Sequence, residues 1–143
     1  IMEQIPNKFW ILFFRRAMME LSSQIADLED ASALITGENI GQVASQTLSN
    51  IRVADDASTY PILRPLAGSN KDDIVNRAKE IGTYEISIEP YQDCCSYFVP
   101  VHPETRANLD EILALEGNLN IEKKLQNALE QKELKICEFK AED

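Results

Sequence analysis

The segment at residues 33–47, ALITGENIGQVASQT, limits the choice of fold more than any other part of the chain. Its short apolar run at residues 33–36 predicts a buried strand, and the glycines after it predict a loop that leads into a helix from about Gly41 to Leu48. In a parallel sheet this order places free backbone N–H groups and the positive end of a helix dipole at the carboxyl end of a strand, where nucleotides bind. The alternative is that Gly37 and Gly41 only turn the chain, because isolated glycine spacings are weak signals.

A second strand–loop–helix unit follows the first. Residues 62–64 lie between two prolines and predict another short strand, and Asn70 is a suitable N-cap for a helix that Gly82 would end. Upstream, apolar residues from Trp10 to Leu28 recur every three or four positions and predict an amphipathic helix. Two successive units of this kind predict an α/β fold with parallel strands, which is half of a doubly wound sheet.

Size and charge narrow the class of protein. A chain of 143 residues can form one domain with a hydrophobic core. Its 24 acidic and 14 basic residues give a net charge of −10, which is the wrong sign for neutralising nucleic-acid phosphates. Any RNA contact is therefore expected to use a basic surface on another segment. No apolar run approaches the roughly 20 residues of a membrane span, so we expect a cytoplasmic protein without membrane contact.

The downstream patterns are weaker. Alternating apolar residues at 84–88 predict a strand or an extended arm, and residues 134–139 alternate in the same way as an edge strand. Between them, residues 121, 125 and 129 are apolar at helical spacing. Cys137 lies in an apolar context and is predicted to belong to the core. His102, the single histidine, is expected at the surface of a loop.

The other two cysteines are adjacent. Cys94, Cys95 and Cys137 make an odd number, and no secretory signal accompanies them, which predicts reduced thiols. Adjacent cysteines rarely bond to each other, because the ring they would close is strained. Asp93, Ser96 and the other polar residues nearby would keep Cys95 accessible, as thiolate chemistry requires. A buried, inert cysteine is the alternative.

Three separated blocks, TGENIGQVASQTLSN, PILRPLAGSNKDDIV and IGTYEISIEPYQDCC, resemble the second half of the catalytic domain of tRNA 4-thiouridine synthetases, the ThiI family of tRNA sulfurtransferases. The resemblance runs from about Phe14 to Pro100. It implies the second half of a doubly wound parallel sheet of the adenine nucleotide alpha hydrolase-like type, also called the PP-loop or Rossmann-like type. Residues 1–103 would be the C-terminal half of the adenylation domain, and residues 104–143 a helical or extended tail packed on the same domain.

The resemblance also implies a reaction. The family uses ATP, with Mg²⁺ expected beside it, to adenylate the uridine at position 8 of tRNA. A persulfide sulfur then displaces AMP to give 4-thiouridine, and the same sulfur supply serves thiamine thiazole synthesis. The implied partners are tRNA, bound through regions absent from this chain, and a cysteine desulfurase as the persulfide donor, with a homodimer left open. Iron–sulfur relatives carry two cysteines where this chain has Ile11 and Phe14, so no cluster is expected.

Five residues match functional positions of the family. Arg15, Gly37 and Gln46 fall where the family contacts ATP, Lys71 matches a lysine needed for activity, and Cys95 matches the thiol that accepts or resolves the persulfide. Three of them have structural alternatives of their own: Arg15 could lie along a helix surface, Gln46 could cap a helix or lie on its surface, and Lys71 could be solvated. A cation at a helix N-terminus opposes the helix dipole, which favours a functional role for Lys71.

Acidic residues and missing motifs complete the comparison with the family. Glu38, Asp72 and Asp73 are better explained as loop or capping residues than as ligands, so no metal site is predicted. The family's Ser-Gly-Gly-x-Asp-Ser phosphate loop, its basic tRNA-binding region and the rhodanese-like domain of some members are not in these residues. We therefore expect a fragment that binds ATP poorly by itself. The alternatives are a non-catalytic sulfur-relay or partner-binding module that uses Cys95, and a phosphate loop on a separate chain.

Overall fold

The structure is a computed structural model that describes residues 2–91, 100 and 102–137. Short 3₁₀ helices at Met2–Gln4 and Asn7–Phe9 lead into helix α1, Trp10–Leu28. Strand β1 is Leu34–Ile35, a 3₁₀ helix spans Ala44–Gln46, and α2 is Leu48–Asp55. Strand β2 is Ile62–Leu63, followed by α3 at Lys71–Glu80 and α4 at Tyr84–Ser87. The last two helices are α5, Leu109–Glu116, and α6, Ile121–Glu130.

Helix α1 organises the core and confirms the amphipathic helix predicted from Trp10. Phe9 and Leu12 are fully buried and pack with Val53 of α2 and Ile112 of α5. The C-terminal region thus contributes a fully buried side chain to the same core as α1, although the predicted division of the chain at residue 103 stays a prediction. None of the helices in the described ranges is both long and apolar enough to cross a bilayer.

The two strands pair in parallel, as predicted, with Leu34 opposite Ile62 and Ile35 opposite Leu63. The prediction that β1 is buried was wrong, because Ile35 is 73% exposed and Leu34 is only partly buried. A parallel strand is buried when both faces of its sheet are covered, and no element within the described residues covers the face that carries Ile35.

The helix predicted to begin at Gly41 begins instead at Leu48. Gly41 has φ +79°, a conformation that favours glycine, and its N–H donates to the carbonyl of Gln46 at 2.9 Å to close a turn. Thr47 is the N-cap of α2, since its side chain accepts a hydrogen bond from the Asn50 N–H at 3.3 Å. The hydroxyl cap therefore sets the start of the helix, and Gly41 serves the loop before it.

Helix α3 begins and ends where its caps predict. The Asn70 side chain accepts from the Asp73 N–H at 2.8 Å, and Gly82 follows the helix with φ +76°. Helix α6 likewise confirms the helical spacing of residues 121, 125 and 129, with Leu125 buried.

Three predictions downstream of α3 were wrong. Residues 84–88 do not form an extended arm, because α4 satisfies their backbone locally, for example through the Ile88 N–H and the Tyr84 carbonyl at 3.1 Å. Residues 134–137 are irregular, since no described strand lies beside them, and residues 138 and 139 fall outside the described ranges. Cys137 is exposed and does not belong to the core.

Arg16 joins three helices inside the fold. It is 4% exposed, and its guanidinium donates to the Val53 carbonyl at 2.5 Å and to both carboxylate oxygens of Glu116 at 3.1 and 2.6 Å. Asp56, at the end of α2, accepts a further bond at 3.2 Å. Burial acts to lower the pKa of Arg16, but the hydrogen bonds and charges of Glu116 and Asp56 outweigh burial and raise it. Arg16 therefore stays charged and connects α1, α2 and α5.

Candidate functional site

A cleft of about 770 Å³ opens between α1, β1 and residues 43–46. This volume falls in the range of small-molecule sites. One wall is a mostly apolar face of α1, and the other is the loop that follows β1. The main contributors from α1 are Ile11, Phe14, Arg15, Met18, Met19 and Ser22. Apolar walls with a few polar groups suit a ligand that combines a flat apolar body with polar edges.

Three of the five predicted site residues line this cleft together. Arg15 reaches it from α1, Gly37 from the loop after β1, and Gln46 from the 3₁₀ helix. Lys71 does not line the cleft and is exposed at the start of α3. Cys95 lies outside the described residues, as does Cys94.

Gln46 lines the cleft and carries a buried hydrogen-bond acceptor. Its side-chain Oε1 is buried and has no hydrogen-bond partner among the residues that the structure describes. Its backbone is held in place, with its N–H donating to the Val43 carbonyl at 2.9 Å and its carbonyl accepting from Gly41. Because buried polar atoms are nearly always paired, this oxygen is suited to accept from an amino or hydroxyl group of a ligand.

Gly37 leaves space on the same wall, in the loop that follows β1. A Cβ at this position would meet no atom within 4 Å among the described residues, and its φ lies outside the left-handed region. Neither packing nor backbone conformation therefore requires glycine here. The residue instead keeps the backbone open to the cleft, which suits close approach by a ligand.

A chain of alternating charges starts in the lining of the cleft, at Arg15 and Glu38, and continues behind it. The Glu38 carboxylate forms an ion pair with Arg15 and accepts from Arg64 Nε at 2.8 Å and from the Thr36 hydroxyl at 3.1 Å. Arg64 forms a further ion pair with Asp55. The series Arg15, Glu38, Arg64, Asp55 therefore links α1 to α2 through the ends of both strands. Of this group, only Arg15 was predicted as a site residue; Glu38 was explained as a loop or capping residue, and the structure buries it instead.

The loops that follow the two strands are bonded to each other. The Asn39 amide donates to the carbonyls of Leu66, at 3.1 Å, and Ser69, and the Ile40 N–H donates to the Ala67 carbonyl at 3.1 Å. These bonds fix the loop at residues 36–41 against the loop at residues 64–70. Lys71 directly follows the second loop, at the same edge of the sheet as the cleft.

A second cavity, of about 410 Å³, lies between α1, α5 and α6 and has an acidic lining. Burial raises the pKa of Glu20 there, and the charges of Glu116 and Glu122 raise it further against the opposing charge of Arg16. Of the predicted site residues that the structure describes, none lines this cavity. The cleft beside β1 is therefore the better candidate for an anionic ligand.

The chain is similar to proteins of one family over most of its length. The family described as Thiamine biosynthesis protein (ThiI) matches residues 1–121. A probable tRNA sulfurtransferase of Halothermothrix orenii is 46% identical over 136 residues, which is 94% of this chain and 34% of that relative. Another from Natranaerobius thermophilus is 42% identical over 139 residues, which is 96% of this chain and 34% of that relative. The chain thus spans about a third of the length of these curated relatives.

A solved structure has the same fold. It is the crystal structure of a 4-thiouridine synthetase–RNA complex with bound ATP, and it matches with a TM-score of 0.83 at 43% sequence identity. The match covers 90% of this chain and 33% of that chain. It confirms the predicted fold class, an α/β fold of the PP-loop type with parallel strands.

Proposed function

The chain belongs to the ThiI family, and from that premise we propose that it is the second half of the adenylation domain of a longer tRNA sulfurtransferase. The complete enzyme would use ATP to adenylate the uridine at position 8 of tRNA, and a persulfide sulfur would then displace AMP to give 4-thiouridine. The observation that carries the proposal is that Arg15, Gly37 and Gln46, which match the family's ATP contacts, line one cleft. The ATP bound in the similar 4-thiouridine synthetase supports it.

Each of these three residues has its own part in the proposed binding of ATP. Gln46 Oε1, buried and without a partner among the described residues, could accept a hydrogen bond from the adenine amino group. Gly37 would let its backbone approach the nucleotide. A guanidinium carries five N–H donors, so Arg15 can keep its pair with Glu38 and still direct a donor at ATP. ATP supplies the adenylate that turns the uridine oxygen into a leaving group.

The remaining parts of the reaction are assigned to residues and partners outside the cleft. Cys95 would accept the persulfide or resolve the product of sulfur transfer, and a cysteine desulfurase would supply the sulfur. Mg²⁺ would enter with ATP and be held mainly by phosphate oxygens, as this ion usually is. Because the chain carries a net charge of −10, tRNA would bind through a basic surface elsewhere in the cytoplasmic enzyme. The family name supports a second role for the same sulfur in thiamine synthesis.

Gly37→Ala tests the glycine of the cleft. In the complete enzyme, we expect the KM for ATP to rise roughly tenfold to hundredfold, because the added methyl group displaces the ligand from the backbone. The free energy of unfolding should change by less than about 0.5 kcal/mol, because the methyl group meets no described atom within 4 Å. Gly68→Ala is the control, since it has equally open surroundings and does not line the cleft. Equal KM values for the two variants would contradict the role of Gly37.

Lys71→Ala tests the proposed electrostatic role of this lysine in the complete enzyme. We expect the rate of tRNA adenylation to fall by about 10-fold to 100-fold, because the cation no longer neutralises charge that develops on the transferred phosphate. Single-turnover release of pyrophosphate measures that step. Lys79→Ala, in the last turn of the same helix, should leave the rate unchanged. A normal rate in the Lys71 variant would remove this residue from the reaction.

The whole proposal is tested by measuring 4-thiouridine in tRNA from cells that lack their own synthetase. The cells express either this chain or the complete protein that contains it, and 4-thiouridine is quantified by its near-ultraviolet absorbance. Restoration by the complete protein alone supports the proposal. Restoration by the chain alone would indicate a phosphate loop supplied by another chain. If neither restores the signal, a sulfur-relay or partner-binding module becomes the better explanation.

A further inference from the structure

Glu38 is an unexpected residue for the wall of a cleft that is proposed to hold ATP. It is 8% exposed, it lines the cleft, and it carries a negative charge that would repel a triphosphate. Burying a carboxylate is costly unless its charge is paired and its oxygens accept hydrogen bonds. Its position therefore needs an explanation in terms of its neighbours.

The neighbours supply that explanation. Arg15 pairs with one carboxylate oxygen of Glu38, and Arg64 and Thr36 donate to the other. Of the two arginines, Arg15 lines the cleft, whereas Arg64 lies behind it and is held in turn by Asp55. Two arginines and two acids sum to no net charge, so Glu38 does not present an uncompensated charge to the ligand. The contacts therefore form a series that begins at Asp55 of α2, passes through Arg64 and Glu38, and ends at Arg15 in the cleft.

We propose that Glu38 is a positioning residue that fixes the guanidinium of Arg15 for ATP, with Arg64 and Asp55 as its support. This role rests on the proposed function. A free arginine side chain samples many rotamers, and a paired planar guanidinium loses less freedom when it binds. Glu38 therefore acts on ATP through Arg15 and makes no contact with the reacting atoms.

The test is steady-state adenylation by the complete enzyme, with Glu38→Gln as the main variant. The amide keeps the shape of the side chain and removes its charge, so we expect the KM for ATP to rise about tenfold. The KM for tRNA should not change, and kcat should stay within about threefold. A general loss of structure would not produce this split between the two substrates. Glu38→Asp keeps the charge and should recover part of the ATP affinity.

A second variant keeps the test decisive if Glu38→Gln fails to fold. Arg64→Gln removes the support without touching the cleft, and it should raise the KM for ATP by about threefold or more with the KM for tRNA unchanged. Glu80→Gln is the matched control, because Glu80 forms an exposed ion pair with Arg77 at 3.6 Å. It should leave all three kinetic parameters unchanged.

The outcomes separate this role from the proposed function. If the wild-type enzyme uses ATP and the Glu38 and Arg64 variants keep its KM for ATP, the positioning role is overturned and the function stands. Equal losses for ATP and tRNA, together with a lower melting temperature, would also overturn the role, because they indicate a structural residue. A wild-type enzyme that neither binds nor consumes ATP overturns the proposed function, and the role of Glu38 falls with it.

Discussion

Arg16→Met is expected to lower the free energy of unfolding of the chain by about 3–5 kcal/mol. The variant keeps most of the side-chain volume and removes four hydrogen bonds, including the two-oxygen contact with Glu116. The Val53 carbonyl and the Glu116 carboxylate would then stay partly buried without their charged partner, which is why the expected loss exceeds that of a surface pair. Urea unfolding followed by circular dichroism measures the change.

Arg77→Met is the matched control for this prediction. Arg77 is also a helical arginine in an ion pair, but its side chain and that of Glu80 are largely exposed, so the expected change is below about 0.5 kcal/mol. A loss in Arg16→Met no larger than in the control would show that Arg16 does not hold α1, α2 and α5 together. The double variant Arg16→Met with Glu116→Leu should recover part of the loss, since it removes the unpaired carboxylate as well.

Cys95→Ser is expected to reduce 4-thiouridine formation by more than about 100-fold in the complete enzyme while tRNA adenylation persists. The thiolate is the species that accepts or resolves a persulfide, and a serine hydroxyl cannot carry sulfur. In the proposed reaction, adenylation precedes sulfur transfer and uses the cleft, where Arg15, Gly37 and Gln46 remain intact. Pyrophosphate release and 4-thiouridine content, measured on the same samples, separate the two steps.

Cys137→Ser is the control for the loss of a thiol, because Cys137 is exposed and no role is proposed for it. It should retain both steps. If Cys95→Ser loses adenylation and sulfur transfer together, the proposed division of labour is wrong. If it loses neither step, Cys95 is not the sulfur-carrying thiol.

The sequence predicted those elements whose signals are local. The periodicity of α1 and the Asn70 cap of α3 both appear in the structure because each signal acts within one helical turn. The predicted helix at Gly41 failed because Thr47, a stronger start signal, lies six residues further on. The extended arm at residues 84–88 failed because alternation alone cannot say whether a partner strand is present, and here local helical bonds satisfy the backbone.

The residues of the candidate site also differ in whether the sequence could identify them. Arg15, Gly37 and Gln46 came from the resemblance to a family, and the structure brings all three to one cleft. Glu38 and Arg64 could not be paired from the sequence, because they are 26 positions apart and meet only through the parallel pairing of β1 and β2. Lys71 and Cys95 stay predictions.

The hydrogen bonds of Asn39 and Ile40 have a further consequence for affinity. They join the loops after β1 and β2, so the conformational entropy of ordering these loops is lost when the chain folds and not when a ligand arrives. Ordering an interface on binding costs about 0.5–1.5 kcal/mol for each immobilised side chain. The loop that forms part of the cleft wall is therefore held in place before any ligand binds.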